Sequence, residues 1–124
     1  MIHLDTHVAV WLRAGDKKRL RPIRSVLEHD DLRLSPFVVL ELQALFEIGR
    51  LRETGRWIAE RLAEDHGVLL HDGGLGEAAN RALDLSFTRD PYDRLIAAHA
   101  LASGASLLTV DETLLAHVSC ARWA

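Results

Sequence analysis

An α/β fold built on a short parallel sheet is predicted by three observations on this sequence. Short apolar segments recur along the chain, longer segments with helical periodicity separate them, and the short segments do not alternate between apolar and polar residues. Strands without alternation are typical of a parallel sheet that helices cover on both faces. We therefore expect a three-layer α/β/α sandwich with four to five strands.

The periodicity also places the individual elements. Strands are predicted at residues 2–4, 32–34, 68–70 and 107–110, with a weaker fifth strand at 118–121. Helices are predicted at residues 8–13, 20–29, 37–48, 55–65, 75–85, 92–103 and 112–117. No repeat or linker interrupts this order, and Gly73-Gly74 indicates a loop. We expect the 124 residues to form one domain, residues 1–124.

Composition narrows the class of protein. The hydrophobic content of 48% and the charged content of 27% are ordinary for a soluble globular protein. A single cysteine, Cys120, excludes an internal disulfide and a multi-cysteine zinc site, as a reducing compartment would allow. The sequence shows neither an apolar run of about 18 residues nor a signal-peptide pattern. We expect a cytoplasmic protein that does not contact a membrane.

Charge is unevenly distributed, although the net charge of -3 gives no reason to expect a polyanionic partner. Six of the fifteen basic residues lie within residues 13–24, and a second basic group lies within residues 50–61. Each group is explained by a solvated helix face or by contact with a polyanion.

Two aspartates follow predicted strands. Asp5 lies in "MIHLDTH" and Asp111 in "SLLTVDETLL". Open parallel sheets bind ligands beyond the carboxyl ends of the strands, where the strand order reverses. If the fourth strand lies beside the first, and the second and third extend the other side of the sheet, Asp5 and Asp111 flank that point. This strand order is an assumption of the prediction.

Two further acids lie on apolar helix faces. Glu41 is in "SPFVVLELQALFEIG", which is apolar on nearly every side and therefore predicts a buried helix. Val39, Leu40 and Phe46 lie off the Glu41 face, so we expect a partner surface to cover them. Asp93 is in "TRDPYDRLIAAHALASG", on the same helical face as small and apolar residues. An unpaired buried carboxylate costs several kcal/mol, so Glu41 requires a partner or a cation.

Helix capping is the alternative explanation for most of these acids. Asp5, Asp90 and Asp111 each precede a predicted helix, and Asp93 lies in a first helical turn. Glu41 lies in mid-helix, where capping does not apply. Several converging carboxylates repel one another unless a divalent cation neutralises them. Because all the ligand atoms are oxygens, we expect Mg²⁺ or Mn²⁺ rather than zinc.

The chain resembles PIN-domain ribonucleases, and more closely the VapC-type toxins of toxin–antitoxin modules. The matching segments are "LDTHVAVWL", "LSPFVVLELQAL", "RDPYDRLIAAHAL" and "LLTVDETL". They occur in the family's order and spacing and cover essentially the whole chain. The resemblance implies a PIN-like α/β/α sandwich and a metal-dependent endoribonuclease. It also implies an RNA substrate, a cognate antitoxin and a homodimer.

The resemblance places the family's acidic quartet on Asp5, Glu41, Asp93 and Asp111. It implies hydrolysis by water that leaves 5'-phosphate and 3'-hydroxyl ends. We assign Asp5, Asp93 and Asp111 to direct metal contact, and Glu41 to a water-mediated or nucleophile-orienting role. Asp90 is expected mainly to cap its helix, with direct metal contact as the alternative.

Other polar residues lie near the expected site. Thr6 and Thr109 are expected to bond a ligating carboxylate or a phosphate, or to satisfy backbone groups. Arg89 and Arg94 are candidates for phosphate contact or for pairing with the quartet.

The histidines admit a second, less favoured metal site. His3, Asp5 and His7 lie close in sequence, but a histidine at position 3 is better explained as a satisfied core residue. The remaining histidines show no ligand spacing: His29, His66, His71, His99 and His117.

Other functional classes fit less well. A signalling receiver domain needs an early acidic pair and a late lysine, but only Asp5 is early and no lysine follows Lys18. A haloacid dehalogenase-type phosphatase needs a second aspartate at position 7, which is a histidine here. A PIN-fold RNA- or protein-binding module without efficient cleavage is the main alternative.

Overall fold

Five parallel strands form one sheet in the computed structural model, which describes residues 1–124. The strand order is β3-β2-β1-β4-β5. In chain order the strands are β1 (Ile2–Leu4), β2 (Leu32–Leu34), β3 (Leu69–Leu70), β4 (Ser106–Leu108) and β5 (Ala121–Arg122). The parallel α/β prediction is confirmed, and so is the assumed strand order, because β4 pairs with β1.

Eight α-helices connect and follow the strands. They are α1 (Thr6–Ala14), α2 (Lys17–Leu20), α3 (Arg24–His29), α4 (Pro36–Glu47), α5 (Gly55–His66), α6 (Leu75–Ala82), α7 (Pro91–Ala102) and α8 (Glu112–His117). The chain moves from β1 to β3 in one direction and then returns past β1 to β4. Since parallel crossovers are right-handed, this reversal places helices on both faces of the sheet.

Several predicted boundaries were wrong. The helix predicted at residues 20–29 is divided into α2, a 3₁₀ turn at Arg21–Ile23 and α3, because Pro22 lacks the amide hydrogen that a continuous helix requires. The helix predicted at residues 75–85 ends at Ala82. Strand β4 ends at Leu108 rather than Val110, and the weak fifth strand lies at Ala121–Arg122.

The main core lies between the sheet and its helices. Fully buried side chains from β1, β2, β4, α4, α5 and α7 meet there, including Leu4, Leu34, Leu42, Leu62 and Leu107. Removing about 25 cal/mol per Å² of apolar surface from water is the main stabilising contribution of such a core. This core fixes the strand ends that carry the polar residues described below.

Helix α4 is less buried than its composition predicted. Only Val38 and Leu42 are fully buried in it, whereas Leu40 is 54% exposed and Ile48 is 66% exposed. The prediction that this helix is buried was therefore wrong for the isolated chain. The reason is that α5 covers only part of α4 and leaves an open groove beside it.

Helix α5 nevertheless approaches α4 closely at its first residue. A Cβ atom at Gly55 would lie 2.4 Å from the Val39 carbonyl oxygen, so only glycine fits there. The Gly55 amide donates to Gln43 Oε1 at 3.1 Å. None of the helices is long and apolar enough to span a bilayer.

Candidate active site

Asp5 is held at the carboxyl end of the central strand β1. Its side chain is almost completely buried, with 4% of the residue exposed. Oδ1 accepts the Thr6 amide at 2.8 Å and caps α1, and Oδ2 accepts the Thr109 hydroxyl at 2.6 Å. Burial raises the pKa of Asp5, while these hydrogen bonds act in the opposite direction. Asp5 therefore caps α1, as the capping alternative predicted. Its other carboxylate oxygen is also held, by the hydroxyl of Thr109, which follows β4.

Thr109 connects Asp5 to Asp111 from the end of β4. The buried Thr109 hydroxyl donates to Asp5 and accepts the Asp111 amide at 3.0 Å. Asp111 caps α8 by accepting the Leu114 amide on Oδ1 at 2.9 Å. The hydroxyl thus serves both of the roles that the sequence allowed, and it joins the two acids at the point where the strand order reverses.

Glu41 reaches the same region from the middle of α4. Its Oε1 accepts a short hydrogen bond from the Thr6 hydroxyl. Burial is the main cause that raises the pKa of Glu41, and the negative charges of Asp5 and Asp90 raise it further. Thr6 therefore connects the start of α1 to Glu41, just as Thr109 connects β4 to Asp5.

Asp93 is repelled by four neighbouring carboxylates. Its pKa is raised to about 7, first by burial and then by the charges of Asp90, Asp5, Asp111 and Glu41. Its carboxylate forms no hydrogen bond with the protein, in contrast to that of Asp5. The structure thus brings together all four predicted site residues, Asp5, Glu41, Asp93 and Asp111, which we call the acidic centre.

Asp90 lies beside the acidic centre and caps α7. Its Oδ1 accepts the Tyr92 amide at 2.9 Å and the Asp93 amide at 3.4 Å. The predicted capping role is confirmed. Its charge still affects Asp93 and Glu41, so Asp90 contributes to the negative potential of the centre.

No lysine or arginine forms an ion pair with the acidic centre, although the charge of His7 partly offsets the raised pKa values of Asp5 and Glu41. All six ion pairs of the protein lie elsewhere. Arg89 donates to the Ser86 carbonyl at 2.9 Å and Arg94 to the Thr88 carbonyl at 2.7 Å, so the alternative that they pair with the quartet was wrong. Clustered oxygen donors without a lysine or arginine partner fit a divalent ion such as Mg²⁺ or Mn²⁺.

Comparison with known proteins assigns the family. The PIN domain family model matches residues 2–119. The chain belongs to the PIN-domain family. It is 33% identical to Ribonuclease VapC22 of Mycobacterium tuberculosis (strain ATCC 25618 / H37Rv), over 92% of this chain and 89% of that protein.

A solved structure has the same fold as this PIN domain. It is the crystal structure of VapBC2 from Rickettsia felis bound to a DNA fragment from their promoter. The match has a TM-score of 0.66 and covers 100% of this chain and 98% of that chain, at 18% sequence identity. The predicted PIN-like α/β fold is therefore confirmed.

A broad groove in this PIN domain lies between α4 and α5, away from the four acids. It has a volume of about 960 Å³, and most of its lining residues are hydrophobic. Leu40, Trp57 and Leu70 line it and are 54%, 45% and 52% exposed. The sequence predicted uncovered apolar surface on α4, and the structure locates it in this groove.

A group of histidines in this PIN domain was missed by sequence reasoning. His3 is buried as predicted, but its Nδ1 has no hydrogen-bond partner, so the prediction of a satisfied core residue was wrong in that respect. It contacts His71 and His99, for which no ligand spacing was recognised. These residues come from β1, the loop after β3 and α7. The spacing of these histidines along the sequence does not indicate that they are close in space. Only the predicted strand order could have suggested that β1, the loop after β3 and α7 are neighbours.

Proposed function

We propose that this chain is a metal-dependent endoribonuclease that acts as the toxin of a toxin–antitoxin pair. The observation that carries the proposal is the convergence of four carboxylates at the carboxyl edge of the sheet with no lysine or arginine partner. The related protein named as a ribonuclease supports RNA as the substrate. The family match over residues 2–119 supports a single domain spanning residues 1–124.

In this proposal the acids have different tasks. Asp5, Asp93 and Asp111 contact Mg²⁺ or Mn²⁺ directly, and Glu41 orients the attacking water. A bound divalent ion of this kind polarises the scissile phosphate, lowers the pKa of water and stabilises the leaving oxygen. The assignment follows from position, since Asp5 and Asp111 end neighbouring strands and Asp93 has a carboxylate without a protein partner.

The two threonines position these groups. Thr109 holds Asp5 and the Asp111 backbone, and Thr6 holds Glu41. Asp93 must be ionised to act as a ligand, and its raised pKa therefore makes cation binding weaken as the pH falls below about 7. Fixed ligands need no reorganisation when the substrate binds, which favours catalysis.

Chelation tests the catalytic proposal directly. The purified protein should cleave RNA with Mg²⁺ or Mn²⁺ and stop in excess EDTA. Glu41→Gln should lose most activity, whereas Glu47→Gln, on the exposed end of the same helix, should retain it. Cleavage that persists in excess chelator would contradict the mechanism. RNA binding without cleavage under any metal would favour the alternative of a non-cleaving binding module.

An antitoxin is the partner that we propose for the groove between α4 and α5. The related solved structure is described as a VapBC2 assembly, which supports an antitoxin partner for this chain. An amphipathic segment lying in an apolar groove is a common mode of recognition, and exposed apolar patches mark such sites. The groove offers Leu40 and Trp57 as anchoring contacts, with Arg56 and Glu60 at its polar margin.

Two matched substitutions on α4 test this assignment. Leu40→Arg should abolish copurification with the antitoxin encoded beside this protein, because it places a charge in the groove. Ile48→Arg should not, although Ile48 is more exposed, because it does not line the groove. Equal binding by both variants would place the antitoxin elsewhere.

A homodimer is the remaining partner that we propose. The mass of one chain is 13.8 kDa, so light scattering of the isolated protein should report about twice that value. If Leu40→Arg also converts the dimer to a monomer, a second copy of the chain uses the same groove as the antitoxin. A monomer at all concentrations would exclude the dimer and leave the catalytic proposal intact.

A further inference from the structure

His3, His71 and His99 form a compact group, which we call the histidine cluster. One ring nitrogen from each residue lies within 4.8 Å of those from the other two. His3 Nε2 lies 2.9 Å from His71 Nδ1, and the His71 and His99 rings stack with their centroids 4.9 Å apart. Ring nitrogens from three different elements therefore lie within one small volume.

Hydrogen bonding within the protein does not fully account for this cluster. His3 and His99 are completely buried. His3 Nδ1 is the only buried side-chain polar atom in the protein without a hydrogen-bond partner. Leaving a buried polar group unpaired costs about 1–3 kcal/mol. The unpaired atom is Nδ1, whereas Nε2 approaches His71, so the protein holds the His3 ring by one nitrogen only.

His99 is held by hydrogen bonds on both ring nitrogens. Its Nδ1 lies 2.7 Å from the Ser35 hydroxyl, and its Nε2 lies 2.8 Å from the Gly73 carbonyl oxygen. Metal-binding histidines are commonly held by a hydrogen bond on the ring nitrogen that does not bind the metal. Because a carbonyl oxygen can only accept, Nε2 donates to Gly73 and Nδ1 accepts from the Ser35 hydroxyl. To bind an ion, Nε2 would have to leave Gly73 and pass its proton to Nδ1, which would then donate to Ser35.

We propose that the histidine cluster is a binding site for one divalent transition-metal ion, most naturally Zn²⁺. Imidazole nitrogen suits zinc and its neighbours, whereas Mg²⁺ prefers oxygen. The site is therefore chemically distinct from the acidic centre. Three histidines with an open fourth position for water are an established zinc ligand set.

The geometry requires a rotation of the His71 ring and a small displacement, because two stacked rings do not direct their in-plane lone pairs at one ion. Zn–N bonds of about 2.0–2.1 Å in a tetrahedral site place the ligand nitrogens about 3.3 Å apart. The nitrogens within 4.8 Å must move together by about 1.5 Å at most, while the 2.9 Å pair must separate slightly. His71 lies on the loop before α6, followed by exposed Gly73 and Gly74, so this loop can make the adjustment. The partial exposure of His71 also gives the ion a path from solvent.

The proposed ion would have a structural effect on the rest of the site. His3 lies on β1 just before Asp5, and His99 lies on α7, which also carries Asp93. An ion bound to all three histidines would fasten the loop at residues 71–74 to both elements. Binding to the folded state alone raises stability, so zinc should raise the melting temperature.

Cobalt spectroscopy and zinc titration test this site without relying on nuclease activity. The full chain carrying Asp5→Asn, which weakens the acidic centre, should first be treated with chelator. It should then bind one equivalent of Zn²⁺ by calorimetry, with a higher melting temperature. With Co²⁺ it should give the intense visible absorption of a four-coordinate nitrogen site, which a six-coordinate oxygen site does not give.

Two further substitutions in that protein assign the ligands. His71→Gln should weaken zinc binding about tenfold or more, since even the loss of a supporting contact typically costs that much. His66→Gln, which changes an exposed histidine at the end of α5, should leave zinc binding unchanged. Absence of the cobalt band, or zinc binding that is unaffected by His71→Gln, would overturn the proposal.

Discussion

The acidic centre and the contact between Arg13 and Glu53 both depend on carboxylates, but their electrostatics are opposite. Glu53 accepts two hydrogen bonds from Arg13, at 3.0 and 2.8 Å, and one from Trp57 at 2.8 Å. The hydrogen bonds from Arg13 are the main cause that lowers the pKa of Glu53. In the acidic centre, burial and neighbouring charge instead raise the pKa of Asp93 to about 7.

This difference separates acids that stabilise the fold from acids that are available to a ligand. Glu53 joins α1 to the start of α5, and its charge is already balanced. Asp93 lies among four other acids and forms no ion pair. A protein that needed only stability would gain by neutralising Asp93. Keeping it ionisable is explained by the cation that we propose.

The largest expected effect is that of Asp93→Asn on catalysis. Loss of a metal contact removes several kcal/mol of transition-state stabilisation, so RNA cleavage should fall about a thousandfold. The same variant should melt at a higher temperature than the parent protein in the absence of metal, because it relieves the repulsion. Single-turnover RNA cleavage and calorimetric melting measure the two effects. A large loss of stability would show that Asp93 serves the fold, as Glu53 does.

Thr109→Val should have the next largest effect. This nearly isosteric change removes the donor to Asp5 Oδ2 and the acceptor for the Asp111 amide. Unpaired buried groups cost about 1–3 kcal/mol, so denaturant unfolding should show a loss in that range. Cleavage should fall as well, because Asp5 is less firmly held and less easily ionised. Unchanged stability together with unchanged activity would mean that the hydroxyl does not position Asp5.

The pH dependence of stability should distinguish the two regions. The pKa of Asp93 is about 7 in the folded protein and near 3.8 when unfolded. Between these values the unfolded chain loses the proton and the folded protein keeps it, so stability falls as the pH rises from about 4 to 7. The melting temperature of Asp93→Asn minus that of the parent, without metal, should therefore be larger at pH 7.5 than at pH 5. A difference that stays constant over this range would contradict the raised pKa.

Glu53→Gln should give the smallest effect. The Arg13 and Glu53 side chains are 31% and 34% exposed, and ion pairs near the surface contribute little after screening by solvent and salt. The melting temperature should fall by a few degrees at most, and less in high salt, with cleavage unchanged. Because the pKa of Glu53 is lowered, its contribution should be complete above its ordinary pKa of 4.5 and lost as the pH falls below it. Loss of cleavage in this variant would show that the contact between Arg13 and Glu53 influences the acidic centre.

Much of the fold was predictable because its signals are local. The sequence shows short apolar segments, and the structure has strands at these segments. The sequence also shows an aspartate followed by a proline, and the structure has the capped start of α7 at these residues. Pro22 was an equally local signal that the predicted helix at residues 20–29 overlooked. Uncovered apolar surface on α4 was predicted, but its extent was not, since the composition of a helix does not reveal how much of the helix its neighbours cover.

The acidic centre was partly predictable for the same reason. Asp5 and Asp111 follow strands, and the strand order that brings them together was assumed correctly. Glu41 was singled out because an acid in an apolar stripe is costly. The catalytic roles of these residues stay predictions. The histidine cluster was not predicted, because His3 and His71 are 68 residues apart and meet only in the folded protein.

The helix caps have an evolutionary consequence. Asp5 and Asp111 each fill a cap position at which serine, threonine or asparagine also serves well. One nucleotide change in an aspartate codon is enough to produce asparagine, so a single mutation can silence the proposed nuclease while preserving these helix starts. Lineages in which the activity is harmful would then retain a folded, inactive protein, and the groove that we propose for the antitoxin would persist as a decoy for antitoxins of active relatives.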